Sequence, residues 1–235
     1  KSLEIDAGCR AAIVQKIELK EQSGGTETLA QFEALFKERE GSERPKRSFG
    51  GADSKLQTEA GNGRAWGSTR LNVHASLEKV AAFLWDFKSR SSMEISGDVL
   101  RKERVEERGG FTKIVNRRQH FGSNTPDRHF SSEMVLRKVD SDTIIILVSP
   151  LGGISRSQRI SGAQGEINAQ DKRRGPVYAL ENVAIRLSRM DGEKAKLEYA
   201  CDLALGHNGR SAKKEFVERR LEEMAGVSIY FQRLG

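Results

Sequence analysis

The last third of the chain, Val177 to Leu234, leaves the fewest choices for folding. It reads as strand, turn, strand, turn and one long closing helix. From Leu197 to Leu205 one parity (Leu197, Tyr199, Cys201, Leu203, Leu205) is wholly apolar, while the other (Glu198, Ala200, Asp202, Ala204) is small or acidic. That is the period-two signature of a half-buried strand. Gly206 to Gly209 ends it, and Ser211 is placed to cap the next element. Phe216, Val217, Leu221, Met224, Val227, Tyr230, Phe231 and Leu234 then recur at threes and fours, which draws one apolar stripe along a helix. A sheet with one apolar face and a helix with one apolar stripe are expected to bury against each other.

The preceding segments fit the same plan. Arg64 to Ala75 alternates as a strand, and Ser76 opens a helix on which Leu77, Val80, Leu84 and Phe87 share a face. Strands are expected at 98–107 and 111–121 around Arg108-Gly109-Gly110, then at 130–138, 143–148 and 178–189, with a turn at Met190-Asp191-Gly192-Glu193. The order is strand, helix, about six antiparallel strands and a terminal helix. This predicts an α+β helix-grip fold, a curved antiparallel β-sheet wrapped around a long C-terminal helix. Leu151 to Gly175 interrupts it with a Gly-, Ser-, Gln- and Arg-rich stretch of the length of a lid or binding loop, or else of a disordered segment.

Ahead of this lie two short amphipathic patterns, within 1–22 and from Thr28 to Phe36. Residues 41–63 are rich in Gly, Ser, Glu, Arg and Lys and read as a linker. The expected organisation is therefore an N-terminal segment of helices and flexible linker, 1–62, and a domain at 63–235. A chain beginning at Lys1 is expected to be a piece of a longer one, with other domains as partners.

Net charge is +7, and it is uneven. The first 63 residues hold 10 Lys/Arg against 11 Asp/Glu, the remainder 30 against 22. A basic domain favours anionic surfaces. Nucleic acid is not the expected partner, because aromatics make up only 6% of the chain and no recognition helix stands out. The four histidines (His74, His120, His129, His207) and two cysteines (Cys9, Cys201) have no metal-ligand spacing, so no metal or other cofactor is expected. No nucleophile elbow or phosphate loop is present to suggest catalysis. Two isolated cysteines point to a reducing compartment, the cytoplasm, no apolar run is long enough to span a membrane, and the basic clusters point to a peripheral membrane association.

Five stretches, taken in order, resemble a known family. They are Gly63-Arg64-Ala65-Trp66-Gly67, the helix Ser76 to Phe87, Pro126-Asp127-Arg128-His129-Phe130, Tyr199 to Gly206, and Tyr230-Phe231-Gln232-Arg233-Leu234. Together they resemble the steroidogenic-acute-regulatory-protein-related lipid-transfer (START) family over residues 63–235, and above all START-like modules within large multidomain signalling chains. The resemblance implies an apolar cavity between sheet and C-terminal helix that holds one lipid or sterol. It matches the family's gating loop to 149–175. The sequence departs from the family pattern at His129, where relatives carry an acid, and at the corner Asp202 to Arg210, which lacks a proline.

Strand parity supplies the candidate ligand-binding residues: Val115, Arg117, Phe130, Ser132, Met134, Val183, Ile185, Tyr199, Cys201 and Leu203. The helix stripe adds Val217, Leu221 and Met224. Arg117, Ser132 and Tyr199 are the polar anchors among them. Parity alone fits a filled core equally well. Lys172, Arg173 and Arg174 are the candidate membrane-contact residues. The expected function is binding of a hydrophobic ligand, for lipid transfer or lipid-sensing regulation, and not catalysis. Two rivals remain open: a ligand-free interaction module with a filled core, and a cyclase- or hydrolase-like enzyme using His129 or Asp202.

Overall fold

A computed structural model describes residues 46–49, 52–58, 64–86, 104–108, 111–119, 128–151, 177–204 and 210–234, together with Ala30. Apart from Ala30, the expected helices within 1–36, and likewise the turn at 206–209 and the greater part of the basic loop, including Lys172, Arg173 and Arg174, lie outside them.

Among the described residues, ten strands form one sheet. Nine follow the order β1-β2-β3-β10-β9-β7-β6-β5-β4, and β8 (Val177–Tyr178) pairs in parallel with β6. The antiparallel strands are β1 (Lys46–Phe49), β2 (Ala52–Thr58), β3 (Arg64–Val73), β4 (Arg104–Glu107), β5 (Thr112–Gln119), β6 (Arg128–Asp140), β7 (Thr143–Pro150), β9 (Leu180–Met190) and β10 (Lys194–Ala204). Helix α1 (Leu77–Trp85) follows β3, and α2 (Arg210–Gln232) closes the chain. This is the predicted helix-grip α+β arrangement. Gly192, at φ 73°, takes the left-handed position of the β9–β10 turn, where a side chain would strain the backbone.

One part of the linker prediction is corrected. Within 41–63 the chain forms the β1–β2 hairpin, and β2 pairs with β3 from Asp53↔Arg70 to Thr58↔Ala65. A cut at Gly63 would therefore remove one edge of the sheet. The hairpin was hidden because β2 buries a serine where a strand usually buries an aliphatic side chain. Ser54 Oγ donates to Thr69 Oγ1 at 2.8 Å, which satisfies both hydroxyls, and Leu56 supplies the apolar contact two residues on.

Two caps also differ from expectation. Ser76 does hold the N-cap position of α1, and its carbonyl accepts from the Val80 amide at 3.1 Å, but its hydroxyl makes no capping bond. Ser211 is the second residue of α2, since the helix begins at Arg210. Helix α1 is buried nearly all round, with Lys79 its exposed residue. Phe83 packs against Tyr230 and Phe231 at ring distances of 4.8 and 5.5 Å, which joins α1 to the end of α2. At the C-terminus of α1, Lys113 Nζ donates to the Trp85 carbonyl and lies 4.3 Å from the Trp85 ring. A cation there offsets the partial negative charge of the helix end.

Helix α2 runs 23 residues, about 34 Å at 1.5 Å per residue, and lies mainly across β2 and β3. Gly67 makes this approach close. A Cβ there would collide with Val217 Cγ1 and sit 3.4 Å from the Leu221 methyls. On the far face of the sheet, Glu198 is ringed by Arg70 Nε (3.1 Å), Arg186 Nε (2.6 Å) and Lys196 Nζ (3.3 Å). Burial pushes its carboxyl up, but the bonds and charges of Arg186 and Lys196 outweigh that and hold it below the usual range. No described helix is long and apolar enough to cross a membrane.

Candidate functional site

The register places all ten strand-borne candidates on one face. Cys201 stands opposite Gly67 and Val183, and Tyr199 opposite Ile185. Val183 pairs with Val148, Val148 with Met134, Ser132 with Val115 and Phe130 with Arg117. Leu203 and Ile185 keep the same parity on their strands. Since Gly67 meets Val217 and Leu221 of α2, this is the face that looks at the closing helix. Val115, Phe130, Met134, Val183, Ile185, Tyr199, Cys201, Leu203, Val217 and Leu221 all belong to the main apolar cluster, and Met224 packs against its edge.

His129 and Asp202 have the opposite parity. His129 pairs with Arg118 between the inward-facing Arg128 and Phe130, and Asp202 follows Glu198 and Ala200 on the other side of β10. The residues on which an enzymatic reading relied therefore do not gather with the apolar set. Among the described residues, no group of His, Cys, Asp and Glu could hold a metal ion.

Charge lies within this apolar face. Arg117 Nη2 donates to Glu181 Oε2, and Ser132 Oγ donates to Glu181 Oε1 at 3.0 Å. From α2, Arg220 Nη2 lies 3.7 Å from the same Glu181 Oε2, while its Nη1 donates to Glu223 Oε2 at 2.7 Å. Rings carry the connection across: Arg117 lies over Phe130 at 4.7 Å, Phe130 stacks on Phe216 at 5.5 Å, and Arg220 lies over Phe216 at 5.2 Å. A four-layer stack thus ties β5 and β6 to α2, with Glu181 of β9 reaching both guanidinium groups.

Burial dominates the titration of this region. It pushes the Glu181 carboxyl up, against the opposing pull of Arg117 and the Ser132 hydroxyl. Tyr199 is raised well above the ordinary phenol range, first by burial and then by Cys201 beside it. Cys201 is pushed up to about 12, again by burial, so its thiol is protonated and inert at neutral pH.

Glu181, Arg220 and Glu223 were missed from sequence. Glu181 had a readable signal, because it precedes Val183 and Ile185 on the same parity. Arg220 and Glu223 had almost none, since charged residues on a helix ordinarily belong to the solvated face.

No protein-family model matches the sequence, and no curated protein matches it. Solved structures do. The human StarD13 (DLC2) lipid transfer and protein localization domain superposes with a TM-score of 0.58 at 16% identity, over 90% of this chain and 98% of that one. Human StAR-related lipid transfer protein 5 gives 0.59 at 10% identity, over 89% and 98%. Human STARD10 gives 0.60 at 8% identity, over 87% of this chain and 81% of that one. The fold is START-like.

Proposed function

We propose that this chain binds a lipid or sterol between the inner face of its curved sheet and α2, for lipid transfer or for lipid-sensing regulation. The observation that carries the reading is the gathering of the apolar side chains of β5, β6, β9 and β10 on the face opposite α2, around the buried Arg117–Ser132–Glu181 cluster. A site of that kind takes an apolar body by desolvation, worth ~25 cal/mol per Å² of apolar surface removed from water. It orients one polar end through a small number of fixed donors and acceptors. Arg117, Ser132 and Tyr199 serve as those anchors, and Met134 and Met224 adapt the wall to an irregular shape. The chain acts by binding and not by turnover.

Delivery uses the basic loop. Lys172, Arg173 and Arg174 contact an anionic membrane surface and bring the site to its lipid. In a longer protein the module would report lipid occupancy to neighbouring domains.

The test is exchange of a radiolabelled sterol and a radiolabelled phosphatidylcholine between donor and acceptor vesicles. Acceleration of either by catalytic amounts of the chain supports the reading, and no acceleration of both removes transfer from it. A second reading, an interaction module with a filled core, draws on the same buried network: the four-layer stack spans from sheet to helix without a gap between its rings. It predicts that no lipid binds at all.

A further inference from the structure

Arg220 stands out on the inner side of α2. Its guanidinium is buried, lies over the Phe216 ring and is anchored at one corner by Glu223. The remaining donors are left over. Nε–H has no hydrogen-bond partner among the described residues, and neither has Nη2, whose ion-pair distance to Glu181 exceeds hydrogen-bonding reach. Arginine offers five N–H donors in a fixed fork. Leaving buried donors unmet costs stability, and a folded chain usually satisfies them. Here the unmet donors lie beside the Phe130–Phe216 stack, on the helix that closes the apolar face.

We infer that Arg220 is the specificity-determining contact of the lipid site, and that it donates to an uncharged acceptor oxygen (a hydroxyl or carbonyl) at the polar end of the ligand. This rests on the lipid-binding reading above and adds to it the residue and the head-group class. The choice of an uncharged acceptor follows from the four linked charges. Glu181 and Glu223 already hold Arg117 and Arg220, so a carboxylate or phosphate would have to enter beside two buried acidic side chains. A neutral oxygen accepts the free N–H groups and adds no charge.

Three probes that share a sixteen-carbon chain separate the terms: 1-palmitoylglycerol (neutral acceptors), palmitate (anionic) and hexadecane (no acceptor). Each is delivered to the full chain from cyclodextrin, and affinities are read by competition. The expected result is that the wild-type chain holds 1-palmitoylglycerol at least about tenfold more tightly than either other probe. Arg220→Lys, which keeps the charge but lacks the Nε–H and the planar fork, should lose the advantage over hexadecane, as should Arg220→Met. Folding of each variant is checked by circular dichroism. Where a variant does not fold, the wild-type ranking decides. Unchanged affinity of a folded Arg220→Lys chain for 1-palmitoylglycerol overturns the assignment, and so does tightest binding of palmitate. If vesicle exchange is accelerated yet 1-palmitoylglycerol binds no better than hexadecane, the role of Arg220 falls and lipid transfer stands. If no probe binds and no exchange occurs, both fall together.

Discussion

Arg117 on β5 and Glu181 on β9 form an ion pair although β7 and β6 lie between their strands. Their side chains are 3% and 5% exposed. Three strand spacings in a flat sheet amount to about 14 Å, so direct contact requires that the sheet curl and that β7 end near Pro150. The pair records the curvature that makes one face concave toward α2.

Breaking that pair should cost more than an ordinary surface substitution. Arg117→Met leaves the Glu181 carboxylate buried without its bonded partner, and a loss of about 3–5 kcal/mol is expected in urea unfolding. The loss should also depend on pH. Burial already raises the Glu181 carboxyl, and Arg117 is the charge that most opposes it. A carboxyl whose folded pKa lies above its unfolded value withdraws stability as pH rises between the two. The deficit of Arg117→Met should therefore be larger at pH 8 than at pH 5, and Arg117→Met with Glu181→Met should be more stable than Arg117→Met at pH 8. An equal deficit at both values would show that Glu181 is not ionised against burial in this site.

Gly67 sets how closely α2 sits on β3. Gly67→Ala places a methyl against Val217 Cγ1 and is expected to cost about 1–3 kcal/mol as overpacking. Val217→Ala added to it should recover part of the loss. Thermal unfolding of both variants decides this, and an additive effect of the two substitutions would show that they do not meet.

The fold was readable where one face of an element is apolar and the other polar, which is why β9, β10 and α2 could be traced from spacing alone. The β1–β2 hairpin was not, because its buried positions include Ser54, whose hydroxyl is satisfied by Thr69 from another strand. The candidate site divides the same way. Parity brought ten strand residues to one face, but pairing across the sheet is a tertiary fact, so Glu181 could not be linked to Arg117. Arg220 and Glu223 were hidden for the reason that hides any buried ion pair: each side chain alone looks like one made for water.

Cys201 offers a clock for opening of the helix. Its thiol is buried on the α2-facing side and pushed up to about 12 by that burial. In a Cys9→Ser chain at pH 8, a disulfide reagent should react with Cys201 far more slowly than it does in urea, and a bound lipid should slow it further. Native reactivity equal to that of the unfolded chain would mean that α2 does not cover this face in solution.

Reversal of the basic loop tests membrane delivery. Each basic residue near an anionic surface contributes ~1 kcal/mol, so Lys172→Glu, Arg173→Glu and Arg174→Glu together should weaken co-sedimentation with phosphatidylserine vesicles at least about tenfold. Unchanged binding would remove the loop from the membrane contact.

Native mass spectrometry of the full chain, purified without detergent and followed by organic extraction, tests lipid binding most directly. A stoichiometric adduct that releases one lipid class on extraction is the predicted result. A chain of bare protein mass that also fails to take up any member of a sterol and phospholipid panel would contradict it, and would leave the filled-core interaction module as the account of this fold.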